Sequence, residues 1–460
     1  MKIVAVLLMT SAVAFGQSSG PHVINLEAAP AGVLVKIQRP TPETLFAHRG
    51  YDRDGDGKEE ILIRRGSLIY QVQGQENPPA VIELGLGFGG VFSETPFGSN
   101  YFKLDGMSEL IGKSTVPNCN YFTLFGPNSI EAYNQITQLP SSPGFRFCDV
   151  GSTFIGSMGD VSGDGIDDIA IRLLSSVAIS FGMDRWTGST YALAALVVDG
   201  SSGGGAFRPF DAGPPTMAYA LGDIDASGVN DMMIEAGSPG TTWIFKGPFP
   251  LGRQYFYPAD FVGSKFVRVR NIPVASAEIA VGASDGGFDF NGDGIDDFVL
   301  SLPSNSIPGS AGGGSACVVY GFSGEWPSEL NIGNMPSDVG ICVRGDVPGR
   351  NVGQIAKALG DIDGDGYDDF ITVVTNPREL LVVLGGPRAT DLMMSDVNID
   401  SGRVLQVADF RDHIERLDGF DGDSFGEFLI ETDRGIFVVR GSKRYFAKDS
   451  LLIDGFESQE

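Results

Sequence analysis

A nine-residue acidic loop recurs along this chain, each time leading into an apolar, strand-like segment. Its fullest copy lies in Leu359 to Ile371, which reads L-G-D-I-D-G-D-G-Y-D-D-F-I. With Asp361 as position 1, Asp363, Asp365 and Asp369 stand at positions 3, 5 and 9, and Gly364 and Gly366 at 4 and 6. Oxygen ligands at this density on a glycine-bent loop are what a hard cation such as calcium requires, and the backbone carbonyl of Tyr367 at position 7 adds one more. Without an ion the carboxylates repel one another at close range.

The same frame fits Asp52, Asp54, Asp56, Lys58 (through its carbonyl) and Glu60, then Asp160, Ser162, Asp164, Ile166 and Asp168. It fits again at Asp223, Asp225, Ser227, Val229 and Asp231, and at Asp289, Asn291, Asp293, Ile295 and Asp297. Two copies are degenerate. One has Asp421, Asp423, Phe425 and Glu427 in register, with Gly419 at position 1 and Asp418 beside it. In the other, Asp105 to Ile111 matches positions 5 to 9 and the following strand, while Tyr101 and Lys103 fall at positions 1 and 3, so the ligands are lost. A solitary Asp/Gly turn held by side-chain-to-backbone bonds accounts for any one copy, but not for the repetition. The closing acid at position 9 rather than 12 excludes an EF-hand, and magnesium takes fewer protein ligands.

The copies start at residues 52, 101, 160, 223, 289, 361 and 419, defining seven units of roughly 60 residues. Each unit reads as a short strand, the acidic loop, a second strand, a third strand ending in Gly (for example Ala316 to Gly321 or Leu380 to Gly385), a variable stretch and a fourth strand. The runs are short, β-branched and aromatic, and bounded by Gly, Pro and Asn. No segment carries sustained helical periodicity. A four-stranded unit cannot bury both its faces alone, whereas repeated units packed around an axis can. The expectation is an all-β, seven-bladed β-propeller of antiparallel blades over residues 40–458. His22 to Gln38, within an extended segment 17–39, is expected to add an outer strand and help close the ring.

Asp-x-Asp-x-Asp-Gly-x-x-Asp followed by an apolar strand resembles the FG-GAP repeat, found in the β-propeller head of integrin alpha subunits and in exported bacterial proteins. The run from Cys317-Val318-Val319-Tyr320-Gly321 through Gly345 to Asp369 resembles a whole bacterial repeat of this kind. The Phe-Gly and Gly-Ala-Pro signatures are eroded, with Gly237-Ser238-Pro239 the nearest match to the second. The resemblance implies calcium loops between the first and second strands of a blade, about five ions with a marginal sixth at Asp421, and a structural role for them.

The first residues read as a secretory signal over 1–16: Lys2, the apolar run Ile3 to Val13, then Ala14-Phe15-Gly16. The mature protein is therefore expected to be secreted, whether extracellular, at the cell surface or periplasmic. Four cysteines in such a compartment favour disulfides. Blade register places Cys119 and Cys148, and likewise Cys317 and Cys342, at the third and fourth strands of one unit, so the expected bridges are Cys119–Cys148 and Cys317–Cys342.

The formal net charge of −26 disfavours nucleic acid or an anionic membrane as a partner. His22, His48 and His413 are scattered without metal-pair spacing, and no nucleophile elbow or phosphate loop is present. The functional expectation is a monomeric, non-catalytic adhesion-type module binding an extracellular protein or glycan. The alternative is a glycan lyase or hydrolase with its site at the central funnel. Arg344-Gly345-Asp346 spells a peptide that some integrins bind, but its Gly falls where the repeat ends its fourth strand.

Overall fold

The computed structural model describes residues 22–26, 33–38, 44–65, 68–84, 88–89, 97–99, 109–113, 121–124, 144–147, 153–173, 176–182, 190–191, 205–207, 215–236, 242–249, 255–256, 266–270, 288–303, 312–388, 390–398 and 400–446. Tyr101, Lys103, Cys119, Cys148 and the expected leader at 1–16 lie outside them.

Among the described residues the strands pair into seven sheets on one scheme. In the unit of the Asp361 loop, Val352–Gly360, Asp369–Thr375, Arg378–Val383 and Gly402–Gln406 pair antiparallel in chain order. The acidic loop joins the first two strands. In its register the residue before position 1 faces position 9: Gly360 opposite Asp369, Gly222 opposite Asp231, Gly159 opposite Asp168 and Tyr51 opposite Glu60.

The stretch between third and fourth strands carries a short strand that leaves its own unit. Glu329–Asn331 runs parallel to Phe266–Arg270 of the preceding unit, and Leu392–Met393 runs parallel to Gly340–Arg344. The last unit ends at its third strand, Gly435–Arg440, followed by a one-turn helix, Lys443–Phe446. The beginning of the chain supplies what is missing. Leu34–Gln38 pairs antiparallel with Gly435–Arg440 as fourth strand, and His22–Asn25 runs parallel to Gly402–Gln406 as the strap to the unit before.

The apolar core lies between sheets, because side chains alternate across each strand. Ile371, Val373, Leu380 and Val382 face Ile414, Phe428, Ile430 and Val439 of the next unit. Their neighbours Phe370, Val374, Leu381 and Val383 face Val299, Ala316, Val318 and Ile341 of the unit before. Further clusters join the units of the Asp160 and Asp223 loops, of the Asp223 and Asp289 loops, and of the last and first loops. Each fully buried Val, Leu, Ile or Phe contributes about 1.5–3 kcal/mol. The first strands of neighbouring units also touch: Phe46–Tyr51 meets both Phe97–Ser99 and Phe410–Leu417, and Thr153–Gly159 meets Pro215–Gly222. Sheets packed face to face around their first strands, the last onto the first, define a β-propeller with antiparallel blades. No helix among the described residues is long and apolar enough to cross a membrane.

Candidate functional site

The acidic loops share one hydrogen-bonded frame. In the fullest copy, Asp361 accepts the N–H groups of Gly364 at 2.6 Å and Asp365 at 3.1 Å on Oδ1, and of Gly366 at 2.9 Å on Oδ2. Asp52, Asp160 and Asp289 accept from the same three positions of their own loops, and Asp223 from positions 5 and 6. Position 5 accepts the position-7 N–H, as Asp365 does from Tyr367 at 3.1 Å and Asp164 from Ile166 at 2.9 Å. These bonds draw the side chains of positions 1, 3 and 5 together. Ligand oxygens within 4.8 Å of one another occur in the sets Asp52, Asp54, Asp56; Asp223, Asp225, Asp231; Asp361, Asp363, Asp365; and Asp421, Asp423, Glu427. An ionised carboxylate has about four lone-pair sites, so amide bonds on position 1 leave capacity for a cation.

Position 9 is a staple. One oxygen of Asp369 accepts Ile362 N–H at 2.9 Å, and the other accepts Gly385 N–H at 2.7 Å at the end of the third strand. Asp168, Asp231 and Asp297 make the equivalent pairs to Val161 and Gly182, Ile224 and Gly247, and Phe290 and Gly321. Burial pushes these acids up, to about 7 for Glu60 and about 8 for Asp297, with the other loop carboxylates adding to the rise and the backbone bonds opposing it. Asp168, Asp231 and Asp369 are raised well above the usual range for the same reasons. A cation in the loop would relieve this repulsion, so the donor set fits calcium.

Position 8, which carries no role in the sequence pattern, ties unit to unit. Its N–H donates to the position-1 carbonyl of the preceding loop: Asn230 to Asp160 at 2.8 Å, Asp368 to Asp289 at 2.9 Å, Gly426 to Asp361 at 2.8 Å and, across the ring closure, Glu59 to Gly419 at 3.2 Å. The carboxylates of Asp296 and Asp368, both at position 8, accept the preceding position-1 N–H, from Asp223 at 2.7 Å and from Asp289 at 3.0 Å. The space for this contact explains Gly222: a Cβ there would stand 2.2 Å from the Asp296 carboxylate, on a residue with φ of +78°.

Lys58 places its own ammonium 3.6 Å from Asp56, and two further loops take a cation from the end of the third strand. Lys246, just before the glycine that ends its third strand, is 2 % exposed and places Nζ 3.2 Å from Asp225 and over the ring of Trp326. Arg440, at the same place in its unit, pairs with Asp421, and lies 3.9 Å from Asp423. In the first unit Gln73 fills this place and donates to Asp54 at 2.7 Å. The sequence signal was available, a basic residue before the terminal Gly of the third strand. Asp418 does not enter the Gly419 loop. It is bound by Arg49 at 2.6 Å and by Arg416, and burial is outweighed by these cations, which lower its carboxyl.

The histidines correct the sequence reading. His48 on Phe46–Tyr51 and His413 on Phe410–Leu417 meet edge to face with centroids 5.2 Å apart. Glu415 joins them, its Oε2 3.1 Å from His48 Nδ1 and 3.6 Å from His413 Nε2. Glu431 Oε1 lies 4.0 Å from His413 Nε2 and accepts Ala47 N–H at 2.6 Å. Burial lowers the His48 imidazole, but the Glu415 and Glu431 carboxylates outweigh burial and the Lys357 ammonium, so its pKa is raised. Closure of the ring brings these residues together, so their distance in sequence hid the cluster.

Cys317 and Cys342 are directly opposed on their strands and joined by a disulfide. The pair Cys119 and Cys148 falls outside the described residues. Arg344 of the Arg-Gly-Asp triplet is buried on its strand and held by Asp391, with Nε 2.7 Å from Oδ2. A Cβ on Gly345 would stand 2.1 Å from the Gly313 carbonyl, so packing accounts for that glycine.

No family model and no curated protein matches this chain. Among solved structures, the chain is similar to BBS1N, crystallised in complex with ARL6DN and soaked with mercury, at TM-score 0.42 and 8 % identity over 94 % of this chain and 99 % of that one. It is also similar to YCF48 from Cyanidioschyzon merolae, at TM-score 0.42 and 9 % identity over 89 % of this chain and 99 % of that one. The class defined by the strand pairing and inter-sheet core is the β-propeller, and these likenesses add nothing finer.

Proposed function

We propose that this chain is a calcium-binding propeller of the FG-GAP type, with each of the seven sheets a blade, exported and acting as a non-catalytic module that binds an extracellular protein or glycan. The observation that carries the calcium reading is the recurrence of one frame, in which the position-1 carboxylate accepts the same backbone N–H groups in successive units, with three loop carboxylates gathered at Asp52 and at Asp361. The ions would be held by the sets at Asp52, Asp160, Asp289 and Asp361. The Asp223 loop has the same frame but carries the Lys246 ammonium on Asp225, and the Gly419 loop carries Arg440 on Asp421. In the loops at Asp52, Asp160, Asp289 and Asp361 calcium would neutralise clustered acid and stiffen the turn between two strands.

The position-8 bonds occupy the loop end of the sheets with unit-to-unit contacts, which favours the opposite end for a ligand. The test is calcium titration of chelator-treated protein by calorimetry, followed by glycan-array and immobilised-protein screening with and without calcium. Stoichiometric calcium binding and calcium-dependent capture of one ligand class support the reading. Absence of calcium binding at millimolar concentration overturns it.

A further inference from the structure

We propose that His48, His413 and Glu415 form a binding site for a divalent transition cation of the zinc class, at the seam between the first and last units and separate from the calcium loops. Two imidazoles and one carboxylate make a borderline donor set that suits zinc, nickel or copper, whereas calcium takes oxygen alone. The geometry is close to what such an ion needs. Zinc bonds of 2.0–2.2 Å at tetrahedral angles set ligand atoms roughly 3.4 Å apart, and Glu415 Oε2 stands 3.1 Å from His48 Nδ1 and 3.6 Å from His413 Nε2. One ligand atom from each of the three residues lies within 4.8 Å of those from the other two.

A second observation points the same way. His413 Nε2 is shut from water and has no hydrogen-bond partner. Its nearest carboxylate oxygens, at 3.6 Å on Glu415 and 4.0 Å on Glu431, lie beyond hydrogen-bond reach. A hydrogen-bonded His–Glu pair accounts for His48 and Glu415 but leaves that buried nitrogen unused, whereas a metal ion between the three groups uses it. The side chains of His48, His413 and Glu415 are 38 %, 30 % and 26 % exposed, so the cluster lies close to the surface although the His413 nitrogen itself is covered. Glu431 adds a second negative charge beside the site while its Oε1 holds Ala47 N–H. Since His48 and Glu415 come from opposite ends of the chain, 367 positions apart, a bound ion would clamp the ring closure.

The experiment is calorimetric titration of the full chain with Zn²⁺ in excess calcium, alongside His48→Gln, His413→Gln and Glu415→Gln, with Asp365→Asn as a calcium-loop control. The expected result is one zinc equivalent, weakened roughly 100-fold or more by each of the three variants and unchanged by the control. Zinc should also raise the melting temperature of the parent protein but not of the His413 variant. Co²⁺ loading of the parent provides a reading that needs no variant to fold, through the intense visible bands of a tetrahedral nitrogen–oxygen site. Absence of saturable zinc binding, equal affinity in His413→Gln, or only the weak bands of octahedral cobalt would overturn the proposal.

Discussion

Asp289 and Asp368 hold each other's backbone. The Asp368 carboxylate accepts Asp289 N–H at 3.0 Å, and Asp368 N–H donates to the Asp289 carbonyl at 2.9 Å. One residue opens an acidic loop and the other is position 8 of the next, so the pair locks neighbouring units independently of any ion. Asp368→Ala removes the acceptor and leaves a partly buried N–H unsatisfied, a loss of about 1–3 kcal/mol. Asp368→Asn keeps an acceptor oxygen and loses less. Urea denaturation of both variants checks the order. Equal stability of Asp368→Ala and the parent would mean the clasp is idle.

The Lys246 ammonium lies 3.2 Å from Asp225, where the proposed calcium of the Asp223 loop would sit. On the calcium reading proposed above, the Asp223 loop, with its own cation in place, is expected to take no ion, and the Gly419 loop has Arg440 beside Asp423. Lys246→Met therefore adds one calcium to the bound stoichiometry, measured by metal analysis after gel filtration in calcium buffer. The calcium-free variant melts below the parent, because a buried carboxylate loses its partner, and calcium restores most of the difference. An unchanged stoichiometry removes the argument that lysine and calcium compete for Asp225.

The raised position-9 acids give the metal-free protein a defined pH response. Burial and neighbouring carboxylates lift Glu60 to about 7 and Asp297 to about 8, above the ordinary carboxylate range. A group raised on folding contributes stability that is complete below its unfolded pKa and is lost as pH rises through its folded value. Calcium-depleted protein should therefore melt at a higher temperature at pH 5.5 than at pH 8.5, and saturating calcium should reverse or flatten that slope. Scanning calorimetry at the two pH values, with and without calcium, measures it. A metal-free protein more stable at the higher pH would contradict the assignment.

How far the sequence is legible depends on range. Loop positions 1, 3, 5 and 9 can be read because their bonds are local, and the alternation at Phe370 to Val374 reveals strands buried on both faces. Position 8 acts across units, so Asp296 and Asp368 look like spare acids beside Asp297 and Asp369 until the neighbouring loop is in place. The cluster of His48, His413 and Glu415 exists only once the ring is closed, and the pairing of Lys246 with Asp225 depends on how the third strand lies against the loop. Strands that leave their own unit, such as Glu329–Asn331, are too short for periodicity to mark.

The Cys317–Cys342 bridge closes a loop with a sequence separation of 25 residues between buried strands. A loop of that length contributes about 3 kcal/mol by restricting the unfolded chain. The double variant Cys317→Ala, Cys342→Ala should lose roughly this amount in urea, less any gain from better packing of two small side chains. A loss well under 1 kcal/mol would show that the sheet alone determines the register.

Val35 tests how the ring is shut. It lies on Leu34–Gln38, the strand from the start of the chain that completes the last sheet, and it is 1 % exposed among Ile37, Ile436 and Val438. Val35→Asp puts a carboxylate into that apolar cluster, at a cost of about 3 kcal/mol or more. Detachment of the strand also uncovers the edge of Gly435–Arg440, an apolar template for pairing with another chain. The expected outcome is a lowered urea midpoint together with concentration-dependent light scattering, while a matched Lys36→Glu change in the same strand, between Val35 and Ile37, has a much smaller effect. If Val35→Asp remains monomeric and unfolds at the parent midpoint, the first strand does not close the ring in solution.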